Sequence, residues 1–153
     1  MPGSSDETVF VVGMESGTYA LRLAHVREIM RPLSSEPVAG APVFVLGIAR
    51  VRGEAVPVLD LARFVSNAGA STRPAGRWVR MAVRDRSFVL AVDAVRGVRT
   101  LSAEIVGTLP PLLAGAEHGA VEQVALLDGE IVRILGEALR VPDEVWSVME
   151  AHA

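Results

Sequence analysis

Four times along this chain, two short apolar or β-branched runs flank a cluster of turn-forming residues. That repetition limits the fold more than any other feature. Thr8–Gly13 (TVFVVG) and Thr18–Leu23 (TYALRL) flank Gly13–Gly17 (GMESG), which reads as a hairpin with a loop of about five residues. Phe44–Val51 and Glu54–Leu59 flank Arg52-Gly53, where Gly53 supplies the positive φ of a tight turn. Trp78–Val83 and Ser87–Val92 form a third pair around Arg84, Asp85 and Arg86. Val121–Leu127 and Glu130–Leu135 flank Asp128-Gly129, the residue pair most suited to a type I′ turn. Strands this short and this close, without strand–helix alternation, predict an all-β chain of small closed or sandwiched sheets.

Other segments are less regular. Ala24–Met30 (AHVREIM) changes period, because Val26, Ile29 and Met30 sit at i, i+3 and i+4. This predicts a helical turn whose apolar face serves either the core or a partner. Pro32 stops it, and Leu33–Pro42 reads as an ordered loop. Pro57 cannot donate a ladder hydrogen bond, so its strand is expected at a sheet edge or at a bulge. Asp60 is placed to cap the short turn that follows. Ser66–Gly76 is small, polar and Gly/Pro-containing, and is expected to be mobile. Val95–Leu101 reads as strand, and the segment from Ser102 as a turn leading to a loop at Pro110-Pro111. Pro142–Ala151 begins with proline and acids, as a helix N-terminus should.

Composition narrows function mainly by exclusion. Half of the 153 residues are apolar, which is enough for a core. A net charge of -3 gives no reason to expect nucleic acid. The absence of cysteine excludes a disulfide framework, a thiolate zinc site and a cysteine nucleophile. The start MPGSSDETVF lacks the basic and apolar regions of a secretory signal. No apolar run approaches the roughly 20 residues that span a bilayer. The expected location is therefore the cytoplasm. His25, His118 and His152 lack a second ligand at metal-binding spacing, so no metal or other cofactor is expected. Asp60 and Asp93 each follow an apolar strand. They read as turn caps, the rival reading being a catalytic carboxylate pair in a small β-barrel enzyme. Trp78 suits either an interface or the end of a barrel. Trp146, with Val145, Val148 and Met149, suits a helix face docked on the domain body.

The run GIARVRGEAVPVLDL, Gly47–Leu61, resembles the signature of CheW-like chemotaxis coupling proteins. In that family the pattern is Gly, two residues, Asn-Leu-Arg-Gly, three residues, Pro-Val, one residue, Asp-Leu. Gly47, Arg52, Gly53, Pro57, Val58, Asp60 and Leu61 match it. Arg50 replaces the usual Asn and Val51 the usual Leu. Phe10–Tyr19 is similar to the family's opening hairpin, and Val26, Glu28 and Ile29 to its Val-x-Glu-Ile segment. Pro42 and Phe44, then Val92, Asp93 and Val95, also resemble family positions, as does the Leu126–Leu135 hairpin. Gly136 follows where the family often has Asp.

The resemblance implies two packed five-stranded SH3-like barrels with short helical turns and a C-terminal helix. Residues 1–7 would form a flexible N-terminus and 8–153 a single domain of two barrel subdomains. It implies a non-enzymatic adaptor without cofactor. Its partners would be the cytoplasmic tip of a chemoreceptor (a methyl-accepting chemotaxis protein) and a CheA-type histidine kinase. A variant that binds receptor but not kinase, in a motility or developmental pathway, is the alternative within the family. Val26, Glu28, Ile29, Arg52 and Val98 fall in or near the implied interaction surfaces. Arg52 would bond a receptor helix or hold the barrels together through backbone carbonyls. Gly47, Gly53 and Gly129 would serve the backbone, and Asp60 and Asp93 their turns.

Overall fold

The computed structural model describes residues 6–66, 75–108, 121–136 and 141–151. The N-terminal segment through residue 5, most of Ser66–Gly76, the Pro110-Pro111 loop, His118 and His152 lie outside the described residues. Among the described residues, eleven strands form two sheets. β1 (Glu7–Met14), β2 (Gly17–Arg22), β8 (Ala94–Leu101), β9 (Val106–Thr108), β10 (Val121–Leu127) and β11 (Glu130–Leu135) make the first, in the order β8-β1-β2-β11-β10-β9. β3 (Val26–Met30), β4 (Val45–Val51), β5 (Glu54–Asp60), β6 (Arg77–Val83) and β7 (Arg86–Val92) make the second, in the order β3-β6-β7-β5-β4. We call them barrels A and B. In each, two hairpins are joined by one parallel contact, β2 with β11 in barrel A and β5 with β7 in barrel B. Barrel A therefore unites the first two strands of the chain with its last four.

Alternation along the strands sorts the apolar side chains into three cores. Val9, Val11, Ala20, Val132 and Ile134 fill barrel A. Val56, Val58, Trp78, Val89 and Ala91 fill barrel B. The opposite faces meet between the barrels, where Phe10, Val12, Tyr19, Leu21 and Leu135 pack with Leu59, Val79, Met81, Phe88 and Leu90. Two helices join that shared core: α1 (Leu61–Ser66) through Leu61, Phe64 and Val65, and α2 (Asp143–Ala151) through Val145. Each large apolar side chain taken out of water there contributes about 1.5–3 kcal/mol. Both barrels depend on that contribution, since each leaves one apolar sheet face uncovered without the other.

Three hairpins close in two-residue turns with positive φ at both central positions. These are Arg52 (51°) and Gly53 (82°), Arg84 (51°) and Asp85 (66°), and Asp128 (52°) and Gly129 (81°). This is type I′ geometry, which matches the twist of the flanking strands. The β1–β2 connection is shorter than expected. Met14 pairs with Gly17, so only Glu15 and Ser16 form the loop.

Ala24–Met30 is not a helical turn. Only Leu23–His25 is helical, as a single 3-10 turn, and Val26–Met30 is strand β3. Val26 opposes Met81 and Glu28 opposes Arg80, so Arg27 is an extra residue in a bulge. A bulge shifts the strand period by one. Val26 and Ile29 thereby reach the same face at a spacing of three, which imitates a helix. Pro57 also lies differently from expectation. Its strand β5 is internal, between β7 and β4. The ladder to β7 begins at Val58, one residue later, so no bond there needs a Pro57 N–H.

Gly47 is held by a close backbone approach. The segment before β4 forms an isolated bridge in which Glu36 and Ile48 exchange two hydrogen bonds of 2.8 Å. A Cβ at Gly47 would lie 2.5 Å from the Glu36 carbonyl oxygen. Gly47→Ala is therefore expected to break that bridge and lower stability by about 1–3 kcal/mol, measured as a urea midpoint shift.

Candidate interaction site

β3 is the first strand of barrel B and the β4–β5 hairpin lies at the far end of the same sheet. In a flat sheet β3 and β5 would stand about 14 Å apart, three strand spacings. The sheet curls instead, and the Arg52 guanidinium reaches Glu28. Nε donates to Glu28 Oε1 and Nη2 to Oε2, both at 2.8 Å. Arg80 Nε donates to Glu28 Oε1 at 3.0 Å. The β3 bulge makes this possible, because it turns Glu28 toward Arg80 while Val26 and Ile29 face barrel A.

Two arginines around one carboxylate fix its charge. The bidentate hydrogen bond from Arg52 is the largest cause, and with Arg80 it lowers the Glu28 pKa from 4.5 to about 2. A carboxyl whose folded pKa lies below its unfolded value stabilises the fold fully above the unfolded value. That contribution disappears as pH falls through the folded value. The stability difference between wild type and Glu28→Gln should thus be constant above pH 4.5 and vanish toward pH 2. Urea titrations across that range check it.

Arg52 is an unusual residue for its place. The first position of a type I′ turn favours Asn, Asp or Gly, and a bulky residue at φ 51° is strained. Its side chain is nonetheless 72% exposed while two of its nitrogens bond Glu28. Nη1 is left pointing away from that bidentate pair. Barrel A has a counterpart with the charges exchanged: Asp128, at the same turn position of β10–β11, accepts from Arg99 of the edge strand β8 at 3.2 Å. There the turn residue is an acid that the turn itself prefers.

Ile29 is 39% exposed and Val98 54% exposed, each on an edge strand of its own barrel. Ile29 opposes Val79 and Val98 opposes Phe10, so both lie on the faces turned toward the other barrel. Val26 differs: it is partly buried against the shared core. The structure thus brings Glu28 and Arg52 together on barrel B, puts Ile29 on the opposite face of β3, packs Val26 partly against the shared core, and puts Val98 on barrel A. Arg52 bonds a carboxylate within its own barrel and not carbonyls between barrels. Arg80 was missed in the sequence, where nothing marks it out from the other strand arginines.

The two candidate catalytic acids are each engaged in a separate turn. Asp60 Oδ1 accepts from the Ala62 N–H at 3.1 Å, capping α1, and its Oδ2 lies 3.6 Å from Arg63 Nε. Asp93 Oδ2 accepts from the Glu15 N–H at 2.8 Å and so ties β8 to the β1–β2 turn. Among the described residues no three metal-ligating side chains cluster, and no helix is long and apolar enough to cross a membrane.

Two small barrels sharing one core, with charged hairpin tips and exposed edge-strand side chains, define a β-barrel scaffold. The profile of the CheW-like domain matches residues 8–138, and the chain belongs to that family. It is 34% identical over 97 residues to "Protein FrzA" of Myxococcus xanthus, covering 61% of this chain and 59% of that protein. It is 25% identical to "Chemotaxis protein CheW" of Rhizobium meliloti over 85% of this chain and 83% of the relative. The crystal structure of the scaffolding protein TtCheW from Thermoanaerobacter tengcongensis superposes with a TM-score of 0.73 at 26% identity. That match covers 86% of this chain and 90% of TtCheW.

Proposed function

We propose that this chain is a chemotaxis coupling adaptor, cytoplasmic and non-enzymatic, that joins a chemoreceptor tip to a CheA-type histidine kinase. The family match supports the class of role, since its relatives are named as chemotaxis and scaffolding proteins. One observation carries the choice of site: Arg52, anchored bidentately by Glu28, stands exposed on the barrel that also exposes Ile29. A pre-positioned guanidinium suits a receptor helix, whose exposed polar groups it bonds without losing further side-chain freedom, while Ile29 offers an apolar contact from the other face of β3. Val98 on the edge of barrel A extends the apolar part of the contact, and Val26 supports it from beneath. Asp60 and Asp93 each accept from the backbone of a different turn, which favours a structural role for both over the carboxylate-pair enzyme.

The variant that binds receptor alone, in a motility or developmental pathway, draws on Arg50 and Gly136, two departures from the family pattern. Co-sedimentation separates the readings. Receptor cytoplasmic fragments assembled on vesicles should pellet this chain, and should pellet the kinase only when this chain is present. Receptor binding without kinase recruitment would select the variant.

A further inference from the structure

The two arginines on the Glu28 carboxylate differ in character. Arg52 comes from the β4–β5 hairpin tip, 24 residues along the chain, with a side chain 72% exposed. Arg80 comes from β6, where it stands directly opposite Glu28 in the ladder, and its side chain is only 21% exposed. They share one oxygen. Glu28 Oε1 accepts from Arg52 Nε at 2.8 Å and from Arg80 Nε at 3.0 Å, while Oε2 accepts from Arg52 Nη2 at 2.8 Å. A carboxylate oxygen has lone pairs for both donors. Charge alone does not explain what Arg80 does for Arg52, because two guanidinium groups on one oxygen repel each other. Geometry does. An exposed arginine that pairs with a freely rotating glutamate gains little, since both long side chains must be ordered together. Arg80 ties the carboxylate to β6 independently of Arg52, so only the Arg52 side chain is left to be ordered. The hairpin tip that carries Arg52 is itself braced, because Arg50 Nη1 donates to the Gly53 carbonyl at 3.2 Å.

From this we infer that Arg80 is a positioning residue for receptor binding: by fixing Glu28 from within the sheet, it holds the exposed Arg52 guanidinium in the pose that meets the receptor. The inference rests on the reading of Arg52 as the receptor anchor. It also sets what each position tolerates. Arg80 gives Glu28 one nitrogen where Arg52 gives two. A lysine ammonium can therefore replace the single donor at position 80, whereas it cannot reproduce the fork at position 52.

The test has two arms, and the first needs no receptor. In NMR spectra of the full chain with isotope-labelled arginine, exchange of the Arg52 Nε proton with water reports how long its pair with Glu28 stays closed. The Arg52 signal is assigned by its absence from Arg52→Asn. Arg80→Met keeps the apolar stem. It should speed that exchange about threefold to tenfold, the scale of releasing one long side chain. In the second arm, Arg80→Met should weaken binding to vesicle-bound receptor fragments by a similar factor, and should add no loss when combined with Arg52→Asn. Arg80→Lys should restore most of both losses. If Arg80→Met does not fold, Arg80→Val, which suits a strand, carries the comparison. Unchanged or slower exchange in Arg80→Met would overturn the inference, because repulsion between the guanidinium groups would then outweigh positioning. An equal loss of affinity with and without Arg52 would also overturn it, since Arg80 would then act without Arg52. Receptor binding that ignores Arg52→Asn would instead sink the receptor reading and leave the exchange result to judge Arg80.

Discussion

Phe88→Ala is expected to cost about 3–5 kcal/mol and to unfold both barrels together. Phe88 is 2% exposed and sits in the core that the barrels share, not inside either one. The partners around it come from both sheets, so they cannot close on the cavity by a shift of one strand. Removing the ring forfeits its transfer energy and leaves a void as well. Trp78 fluorescence reports barrel B from within. Amide exchange at Val132 and Ile134 reports the interior of barrel A. Both probes should give one midpoint in wild type and the same lowered midpoint in the variant. Destabilisation confined to barrel B would show that the barrels are independent domains.

Arg52→Asn is expected to remove receptor coupling while the fold is kept. Asn is a preferred residue at the first position of a type I′ turn, so the hairpin gains what the strained arginine gave up. The lost groups are the bond to Glu28 and the exposed guanidinium. Exposed arginine anchors dominate many interfaces, and a loss of tenfold or more in receptor affinity is the expected scale. Arg52→Lys should recover little, since an ammonium cannot reproduce the bidentate fork. A variant that binds receptor normally would make Arg52 a barrel clasp and nothing more. A large fall in its thermal midpoint would point the same way. The counterpart pair, Arg99 and Asp128, offers an internal control, because it joins an edge strand to a hairpin tip on the other barrel.

Much of the fold was legible because hairpins are local. Asp128-Gly129 and Arg52-Gly53 mark their own turns, and the apolar runs beside them set the strands. The parallel contacts were not legible. β2 meets β11 across most of the chain, and no local pattern encodes that partner. The β3 error had a definite cause: the bulge at Arg27 puts Val26 and Ile29 on one face at helical spacing. Pro57 misled because its missing donor falls just before the β7 ladder and not at a sheet edge. At the site, Glu28 and Arg52 were both singled out, but their pairing across 24 residues was not. It depends on how far the sheet curls. Exposure was equally hidden: Val26 and Ile29 are alike in sequence, and only packing against the second barrel separates them.

An adaptor of this kind transmits receptor state to a kinase. The direct measurement is the rate of CheA-type kinase autophosphorylation on vesicles bearing receptor, with and without this chain, before and after receptor ligand is added. The chain should raise the rate in the presence of receptor, ligand should lower it again, and Arg52→Asn should abolish both responses. A kinase rate that ignores the chain, while the chain still binds the vesicles, would contradict the adaptor role.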